Sequence, residues 1–173
     1  PTRRSSDLPP GQDDAGTAIR HLEHLSNLPR AEAFAEAADP EGVGFGGYEN
    51  TDLAFTADHL FVGNYYGFQV FDLSSPERPE PVVSVVCPGG QGDVSVYGDL
   101  LFMSVEQTRG RIDCGTGGVQ DTVSTERLRG VRIFDISDVA EPVQVKVVQT
   151  CRGSHTHTVV TDPADDSRVY VYV

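Results

Sequence analysis

Two stretches of this chain repeat one pattern, and the repeat constrains the fold more than any other feature. "GFQVFDLSSPERPEPVVSVVCPGGQGDVSV" (residues 67–96) aligns with "GVRIFDISDVAEPVQVKVVQTCRGSHTHTVV" (residues 130–160). Each contains a glycine, an alternating run ending in Phe-Asp-Leu/Ile-Ser, a proline turn, a valine-rich run, a cysteine and a glycine-containing loop. Repetition at this scale indicates an architecture built from stacked copies of one unit.

Short alternating runs bounded by turn residues predict four strands in each unit. The predicted strands are residues 52–56, 60–63, 68–72 and 81–86 in the first unit, 93–96, 101–105, 131–136 and 143–149 in the second, and 157–161 and 169–173 in a third. Four-stranded antiparallel units of this size predict an all-β fold, the β-propeller, whose blades stack around a central channel.

The repeat also predicts the domain organisation. Blade 1 covers residues 51–87, blade 2 covers 92–151 with an inserted loop at 106–129, and residues 154–173 begin blade 3.

Residues 9–50 are predicted to form an N-terminal strand and a connector. "RHLEHLSNLP" (residues 20–29) would be a strand that closes a last blade, and a helix at 21–28 is the alternative. Alanine and glutamate at 31–38 predict a short helical turn. Residues 1–8, "PTRRSSDL", resemble a translated sequencing adapter and are excluded from the fold. We therefore expect the sequence to be a fragment of a longer protein.

The motifs "FQVFDLSSPERP" and "VRIFDISDVAEP" resemble the LVIVD-repeat family of bacterial β-propellers, from about residue 51 to the end. "VCPGGQGDVSV" and "CRGSHTHTVV" are similar to a secreted or surface-associated subgroup of that family. The resemblance implies an extracytoplasmic protein (secreted, periplasmic or on the cell surface) that is monomeric when full length. It implies no defined activity.

The charge balance excludes some classes of partner. With 26 acidic and 13 basic residues the formal net charge is -13, which argues against nucleic acid or an anionic membrane surface. No stretch approaches the roughly 20 apolar residues of a membrane-spanning helix.

Antiparallel order predicts that three loops lie at one end of the blades. In a four-stranded blade, the link to the next blade and the loop between the second and third strands share one end. "CPGGQG", "CRGSHT" and the inserted loop should therefore meet there. Cys114 of the inserted loop could then form a disulfide with Cys151 or Cys87, which would stabilise the insertion, and buried free thiols are the alternative.

Asp52, Asp93 and His157 occupy equivalent positions at the start of the innermost strands, so we expect an arc of side chains at the mouth of the channel. With His155 two residues before His157, this arc could hold a divalent metal. The alternative is that these side chains bond to backbone amides of neighbouring loops. Proton transfer by His157 is a third possibility.

Other residues of the repeat have structural interpretations. Asp72 and Asp135 are predicted to form turns in which the carboxylate accepts hydrogen bonds from backbone amides. Phe71 and Phe134 should lie in the core between blades. The glycines of residues 89–92 predict a tight loop and no phosphate cradle, because neither a helix nor a lysine follows them.

These features favour a non-catalytic binding or scaffold module whose loop-bearing face binds a protein, a glycan or a small ligand. No catalytic or cofactor-binding residue is assigned. The alternative is a metal-dependent propeller enzyme, similar to lactonases or thiol oxidases, in which His155, His157, Asp93 and Asp52 hold the metal and activate water.

Overall fold

The computed structural model describes residue 9, residues 16–37 and residues 49–173. Its strands begin and end within two residues of the predicted bounds, which confirms the all-β fold. The elements are α1 (Glu32–Ala37), β1 (Asn50–Phe55), β2 (His59–Asn64), β3 (Gly67–Asp72), β4 (Glu80–Val86), β5 (Val94–Tyr97), β6 (Leu100–Val105), β7 (Gly130–Asp135), β8 (Val143–Gln149), β9 (Thr158–Thr161) and β10 (Val169–Tyr172).

The sheets have the strand order of successive propeller blades. Strands β1 to β4 form one antiparallel four-stranded sheet, β5 to β8 form a second, and β9 pairs with β10. Both four-stranded sheets shift register at the same point of the repeat, between Val70 and Phe71 and between Ile133 and Phe134. The repeated sequence therefore produces a repeated backbone irregularity as well as repeated strands.

The main core lies between the first two sheets. The rings of Phe68 in β3 and Phe134 in β7 meet edge to face, with centroids 5.1 Å apart. Phe134 is thus in the core between blades, as predicted. Phe71 is buried elsewhere, in a groove that it lines with Leu28 and Pro29 of the N-terminal segment. The other buried residues of the main core are Ala54, Phe61, Val70, Cys87, Val94, Leu101, Met103 and Ile136.

The N-terminal segment differs from the prediction. Residues 22–30 form neither the closing strand nor the alternative helix. A strand needs the free edge of a sheet, and an amphipathic helix needs an apolar surface. Leu22 and Leu25 are 82% and 57% exposed, so they pack against neither.

The predicted helical turn does form, as α1. Its Phe34 is fully buried against Tyr66 and Val86, so the helix packs on blade 1. Among the described residues, no helix is long and apolar enough to cross a membrane.

Residues 87–92 bring the two blades into backbone contact. A Cβ atom at Gly92 would lie 2.5 Å from the carbonyl oxygen of Asn64, and one at Gly63 would lie 2.1 Å from the carbonyl oxygen of Gly92. Gly92 also has a φ of +68°. The tight glycine loop predicted here is confirmed, and its small residues allow the blades to approach closely.

Candidate functional site

Three loops meet at one end of the blades, and we call them together the loop rim. The backbone nitrogens of Glu106 and Gln107 donate to the carbonyl oxygen of Gly89 at 2.9 and 3.0 Å, and that of Ser154 donates to Val105 at 3.0 Å. The first two bonds join the glycine loop to the inserted loop, and the third joins residues 151–157 to the end of β6, directly before the inserted loop. The three loops therefore lie at one end of the blades, as predicted. The loop rim consists of residues 87–92, the inserted loop (residues 106–129) and residues 151–157.

A disulfide fastens the inserted loop to blade 1. It joins Cys87 to Cys114, which is one of the two pairings that the sequence left open. Cys87 is fully buried and Cys114 packs against the main core, so the cross-link enters the interface between the blades. Cys151 occupies the position equivalent to Cys87 in the repeat, and it is an exposed free thiol.

The base of the inserted loop closes as a short hairpin. The nitrogen of Ile112 donates to Glu126 at 2.8 Å, and the nitrogen of Leu128 donates to Gly110 at 2.9 Å. Arg111 ties the two sides together through an ion pair with Glu126 at 2.8 Å, and it also pairs with Asp113 on its own side at 2.7 Å. The Arg111 guanidinium holds the pKa of the Asp113 carboxyl well below its usual range. The base of the loop is therefore closed by backbone hydrogen bonds and one ion pair, and the disulfide fastens the loop to blade 1.

Arg132 is a buried residue at this site that the sequence reasoning missed. It donates to the carbonyl oxygen of Pro88 at 3.0 Å and to Gln144 at 3.2 Å, and one of its nitrogens lies 3.2 Å from the Cys114 sulfur. Burial lowers its pKa to about 10, although the nearby Asp113 charge acts in the opposite direction. The repeat contained a signal for this site, because it aligns Arg132 with Gln69, a polar residue inside an apolar strand. Both side chains are buried in the structure.

The structure links Asp52, Asp93 and His157 through contacts between successive units, and their position at the mouth of a channel stays a prediction. Oδ2 of Asp52 accepts a hydrogen bond from the backbone nitrogen of Val94 at 2.9 Å. Oδ2 of Asp93 accepts one from the backbone nitrogen of His157 at 2.8 Å. Each carboxylate thus binds the innermost strand of the next unit, as the alternative interpretation predicted.

The His157 ring belongs to a hydrogen-bond chain with a defined direction. Nδ1 lies 2.9 Å from Asp93 Oδ2 and 2.8 Å from Ser104 Oγ, and Ser104 Oγ lies 2.8 Å from Ser154 Oγ. An ionised carboxylate only accepts, so Nδ1 carries the proton. Ser154 donates to the carbonyl oxygen of Thr156 at 3.0 Å, so Ser104 must donate to Ser154. The chain runs from His157 through both serines to a backbone oxygen.

The surroundings of Asp93 favour its ionised form. Burial acts to raise the pKa of this carboxyl, but hydrogen bonds from the ring and the backbone amide of His157 outweigh it. The pKa of Asp93 is therefore below the ordinary value for an aspartate. A charged Asp93 accepts hydrogen bonds from both the ring and the backbone amide of His157.

The predicted metal ligands are not all brought together. His155 is exposed and pairs with Glu106 of the inserted loop, away from the direct contact between Asp93 and His157. Nε2 of His157 is buried without a hydrogen-bond partner. In the part of the chain that the structure describes, no group of three or more His, Cys, Asp or Glu side chains could hold a metal ion. Metal binding by Asp52, Asp93, His155 and His157 stays a prediction, and this geometry offers it no support.

The residue types of a hydrolytic triad occur here, but their arrangement differs from that of a triad. A nucleophilic serine gives its proton to one ring nitrogen while the carboxylate binds the other. Ser104 and Asp93 both contact Nδ1 of His157, and the Ser104 hydroxyl donates to Ser154. Ser104 is also almost fully buried. The cluster can therefore hold strands together, and it provides no activated nucleophile.

At the other end of the blades, two aspartates form the predicted turns. Oδ1 of Asp72 accepts from the nitrogen of Ser74 at 2.6 Å, and Oδ1 of Asp135 accepts from the nitrogen of Ser137 at 2.9 Å. Hydrogen bonds from these serines lower the pKa of both carboxyls. Their role is structural.

No family model matches this chain, and the comparisons found no similar curated protein and no similar solved structure. The resemblance to LVIVD-repeat propellers consequently rests on the repeated motifs of residues 67–96 and 130–160. What the site can do follows from the contacts described above.

Proposed function

We propose that this chain belongs to a β-propeller of the LVIVD-repeat type that acts outside the cytoplasm as a non-catalytic binding or scaffold module. Its binding surface is the loop rim, where a protein, a glycan or a small ligand is bound. The observation that carries the proposal is the inserted loop, which interrupts the repeat of blade 2 and is cross-linked to blade 1 through Cys87 and Cys114. A loop held rigid in this way loses little conformational entropy when it binds a partner.

The hydrogen bonds of Asp52, Asp93 and Ser104 support a non-catalytic role. The Asp52 and Asp93 carboxylates accept hydrogen bonds from backbone amides, and the Ser104 hydroxyl is directed at Ser154. Groups in such fixed structural bonds would have to break them before they could accept a proton or attack a substrate.

The disulfide supports a location outside the cytoplasm, since disulfides persist in oxidising compartments and are rare in the cytosol. It lies between a fully buried cysteine and a half-buried one, as a structural cross-link does. Val123 is 90% exposed within the inserted loop, so its side chain is accessible to a partner bound at the loop rim.

The catalytic part of the proposal is tested by turnover assays. Wild-type protein and His157→Ala are incubated with ester, lactone and thiol substrates, with and without zinc, manganese or calcium ions. We expect no turnover in either protein. A non-catalytic role would be contradicted if the wild type turned over a substrate and His157→Ala did not. In that case His155→Ala should remain active as the control, and the circular dichroism spectrum of His157→Ala should show an intact fold.

The binding part is tested on an array of neutral and acidic glycans. Val123→Asp changes the inserted loop, and Val143→Asp is the matched control, because Val143 is also exposed and begins β8 at the opposite end of the blade. We expect binding that Val123→Asp weakens and Val143→Asp preserves. Binding that only Val143→Asp weakens would place the partner away from the loop rim.

A further inference from the structure

We propose that the inserted loop contains a binding site for a small oxyanion, meaning a carboxylate, sulfate or phosphate group, formed by Arg109, Arg127 and Arg129. This deepens the proposed function by naming the chemical class that the loop rim binds, and it rests on that function for the location of the ligand. The proposal stands on a pocket, on the charges around it and on the donors that remain free in it.

The three arginines line one open pocket of about 320 Å³ in the inserted loop. Thr108, Gln120 and Thr122 add hydroxyl and amide groups to its wall. None of the residues that line the pocket is acidic. A volume near 300 Å³ lies at the small end of the range for ligand pockets, so it suits a single acidic group with its immediate neighbours.

The positive charge of this pocket has no counterion in the described residues. The inserted loop contains four acidic side chains, and three of them pair elsewhere: Asp113 and Glu126 with Arg111, and Glu106 with His155. The fourth is Asp121, which offers its backbone carbonyl to Arg127 and whose carboxylate forms no ion pair within residues 49–173.

In that same range, Arg109, Arg127 and Arg129 form no ion pair with a carboxylate. The chain as a whole carries a formal net charge of -13, so acidic partners are abundant in its sequence. Three arginines that line one pocket without a carboxylate partner in this range indicate a binding site for an anion that is not part of the chain.

Arg127 holds the pocket in shape. Its Nε donates to Thr108 at 2.7 Å, one terminal nitrogen donates to Thr122 at 2.7 Å, and the other donates to Asp121. All three acceptors are backbone carbonyl oxygens, which fix the guanidinium without neutralising its charge. Arg127 therefore contributes positive potential and a rigid wall.

Arg109 and Arg129 retain the donors that a ligand needs. Arg109 makes one long hydrogen bond, 3.4 Å to the carbonyl oxygen of Gly117, and Arg129 makes one, to the carbonyl oxygen of Arg152. The Nε atoms of both are buried without a partner among the described residues. Each guanidinium has five N–H groups in a planar fork that matches a carboxylate, sulfate or phosphate. Because these Nε atoms are buried, an oxyanion in the pocket would bind the terminal N–H groups of Arg109 and Arg129, and it would neutralise the charge of the pocket.

The test is a calorimetric titration of the whole chain with inorganic phosphate, sulfate, citrate and glucuronate, with glucose and sodium chloride of equal ionic strength as negative probes. We expect saturable binding of at least one oxyanion and none of glucose. Arg109→Gln and Arg129→Gln should each weaken it about tenfold, which is ~1.4 kcal/mol. Arg78→Gln is the matched control, since it removes an exposed arginine at the other end of blade 1, and it should bind as the wild type does.

Arg109→Lys separates charge from geometry, because lysine keeps the charge and lacks the fork. It should bind more weakly than the wild type and more tightly than Arg109→Gln, provided that both variants retain the wild-type circular dichroism spectrum. The ligand class follows from which anions bind more tightly. Tighter binding of phosphate or sulfate indicates a phosphate or sulfate ester, and tighter binding of citrate or glucuronate indicates a carboxylate.

Absence of saturable binding to all four oxyanions by folded wild-type protein would overturn the proposal. The proposal would also be overturned if sodium chloride gave the same calorimetric signal as the oxyanions, or if Arg109→Gln bound them with the affinity of the wild type. Glycan binding that Val123→Asp weakens but Arg109→Gln leaves intact would reject the oxyanion site while the proposed binding function stands.

Discussion

One carboxylate oxygen of Asp93 binds His157 twice, at 2.8 Å from its backbone nitrogen and at 2.9 Å from Nδ1 of its ring. The two residues lie 64 positions apart and at equivalent places in successive repeats. The contact therefore joins the innermost strand of blade 2 to the start of blade 3. It accounts for a buried histidine without assigning it any chemistry.

Removing this carboxylate should destabilise the protein. Asp93→Ala leaves the His157 amide without its acceptor and leaves the ring with Ser104 alone. Hydrogen bonds to a charged group contribute about 1.5–3 kcal/mol. We expect a loss of about 2 kcal/mol in the free energy of unfolding, measured by urea denaturation. Asp99→Ala is the control, because it removes an exposed aspartate from the turn between β5 and β6. Equal losses in the two variants would show that the contact with His157 contributes nothing.

The same contact should make the free energy of unfolding fall as the pH is lowered into the acid range. The folded-state pKa of Asp93 is lowered from the ordinary value of 3.8, so the folded protein binds its proton less readily than the unfolded chain does. Its contribution is therefore fully present above the unfolded pKa and is lost as the pH falls through the folded pKa.

This pH dependence can be measured by urea denaturation between pH 7 and about pH 3. The wild type should lose more stability than Asp93→Asn over this window, because the variant lacks the titrating group. Asp72, Asp135 and Asp165 also have lowered pKa values, but they titrate in both proteins and cancel in the difference. Parallel curves for the two proteins would be evidence against the coupling.

The disulfide should be a major source of stability. Cys87 and Cys114 are 27 residues apart, and closing a loop of this length stabilises a protein by about 3–4 kcal/mol in the chain-entropy model. The double variant Cys87→Ala/Cys114→Ala should lose about this much in chemical denaturation. Cys151→Ala should change stability by less than about 0.5 kcal/mol, since its thiol is exposed and unpaired.

Mass spectrometry of the alkylated, unreduced protein provides a direct check on the pairing. A cross-linked peptide containing Cys87 and Cys114, with Cys151 alkylated, is expected. A peptide linking Cys114 to Cys151 would show that the other pairing forms.

Two glycines with positive φ should differ in their tolerance of alanine. Gly92 and Gly98 have φ values of +68° and +55°, so alanine is strained at both. A Cβ at Gly92 would lie 2.5 Å from the Asn64 carbonyl oxygen, whereas nothing lies within 4 Å of one at Gly98. Gly98→Ala should cost about 1 kcal/mol from backbone strain alone, and Gly92→Ala about 1–2 kcal/mol more. Thermal denaturation compares the two, and equal melting temperatures would argue against close packing at residue 92.

The strands and turns were predictable because their causes are local. Alternating apolar residues within six or seven positions determine a strand, and Asp72 forms its turn with Ser74, only two residues away. The antiparallel order within a blade then follows from the short connections between successive strands. The predicted meeting of the three loops depended on this order alone, which is why it is confirmed.

The N-terminal segment shows where such reasoning fails. The leucines of residues 22–28 are compatible with a strand or a helix, and neither forms without a surface to pair with. Arg132 is a second example. Its burial depends on the carbonyl oxygen of Pro88 and the side-chain oxygen of Gln144, which lie 44 and 12 residues away in the chain.

The amino-acid sequence by itself determined the repeated four-stranded unit, the bounds of its strands, and the end of the blades at which its cysteines, His155 and His157 lie. The tertiary structure decided that Cys114 bonds to Cys87, that His157 is held by Asp93 and Ser104, and that three arginines share a pocket with no carboxylate partner among the residues it describes. The physical reason is distance. Periodicity acts between neighbours in the chain, whereas disulfides, hydrogen-bond partners and charge pairing depend on angstrom-scale separations that exist only once the blades have packed together.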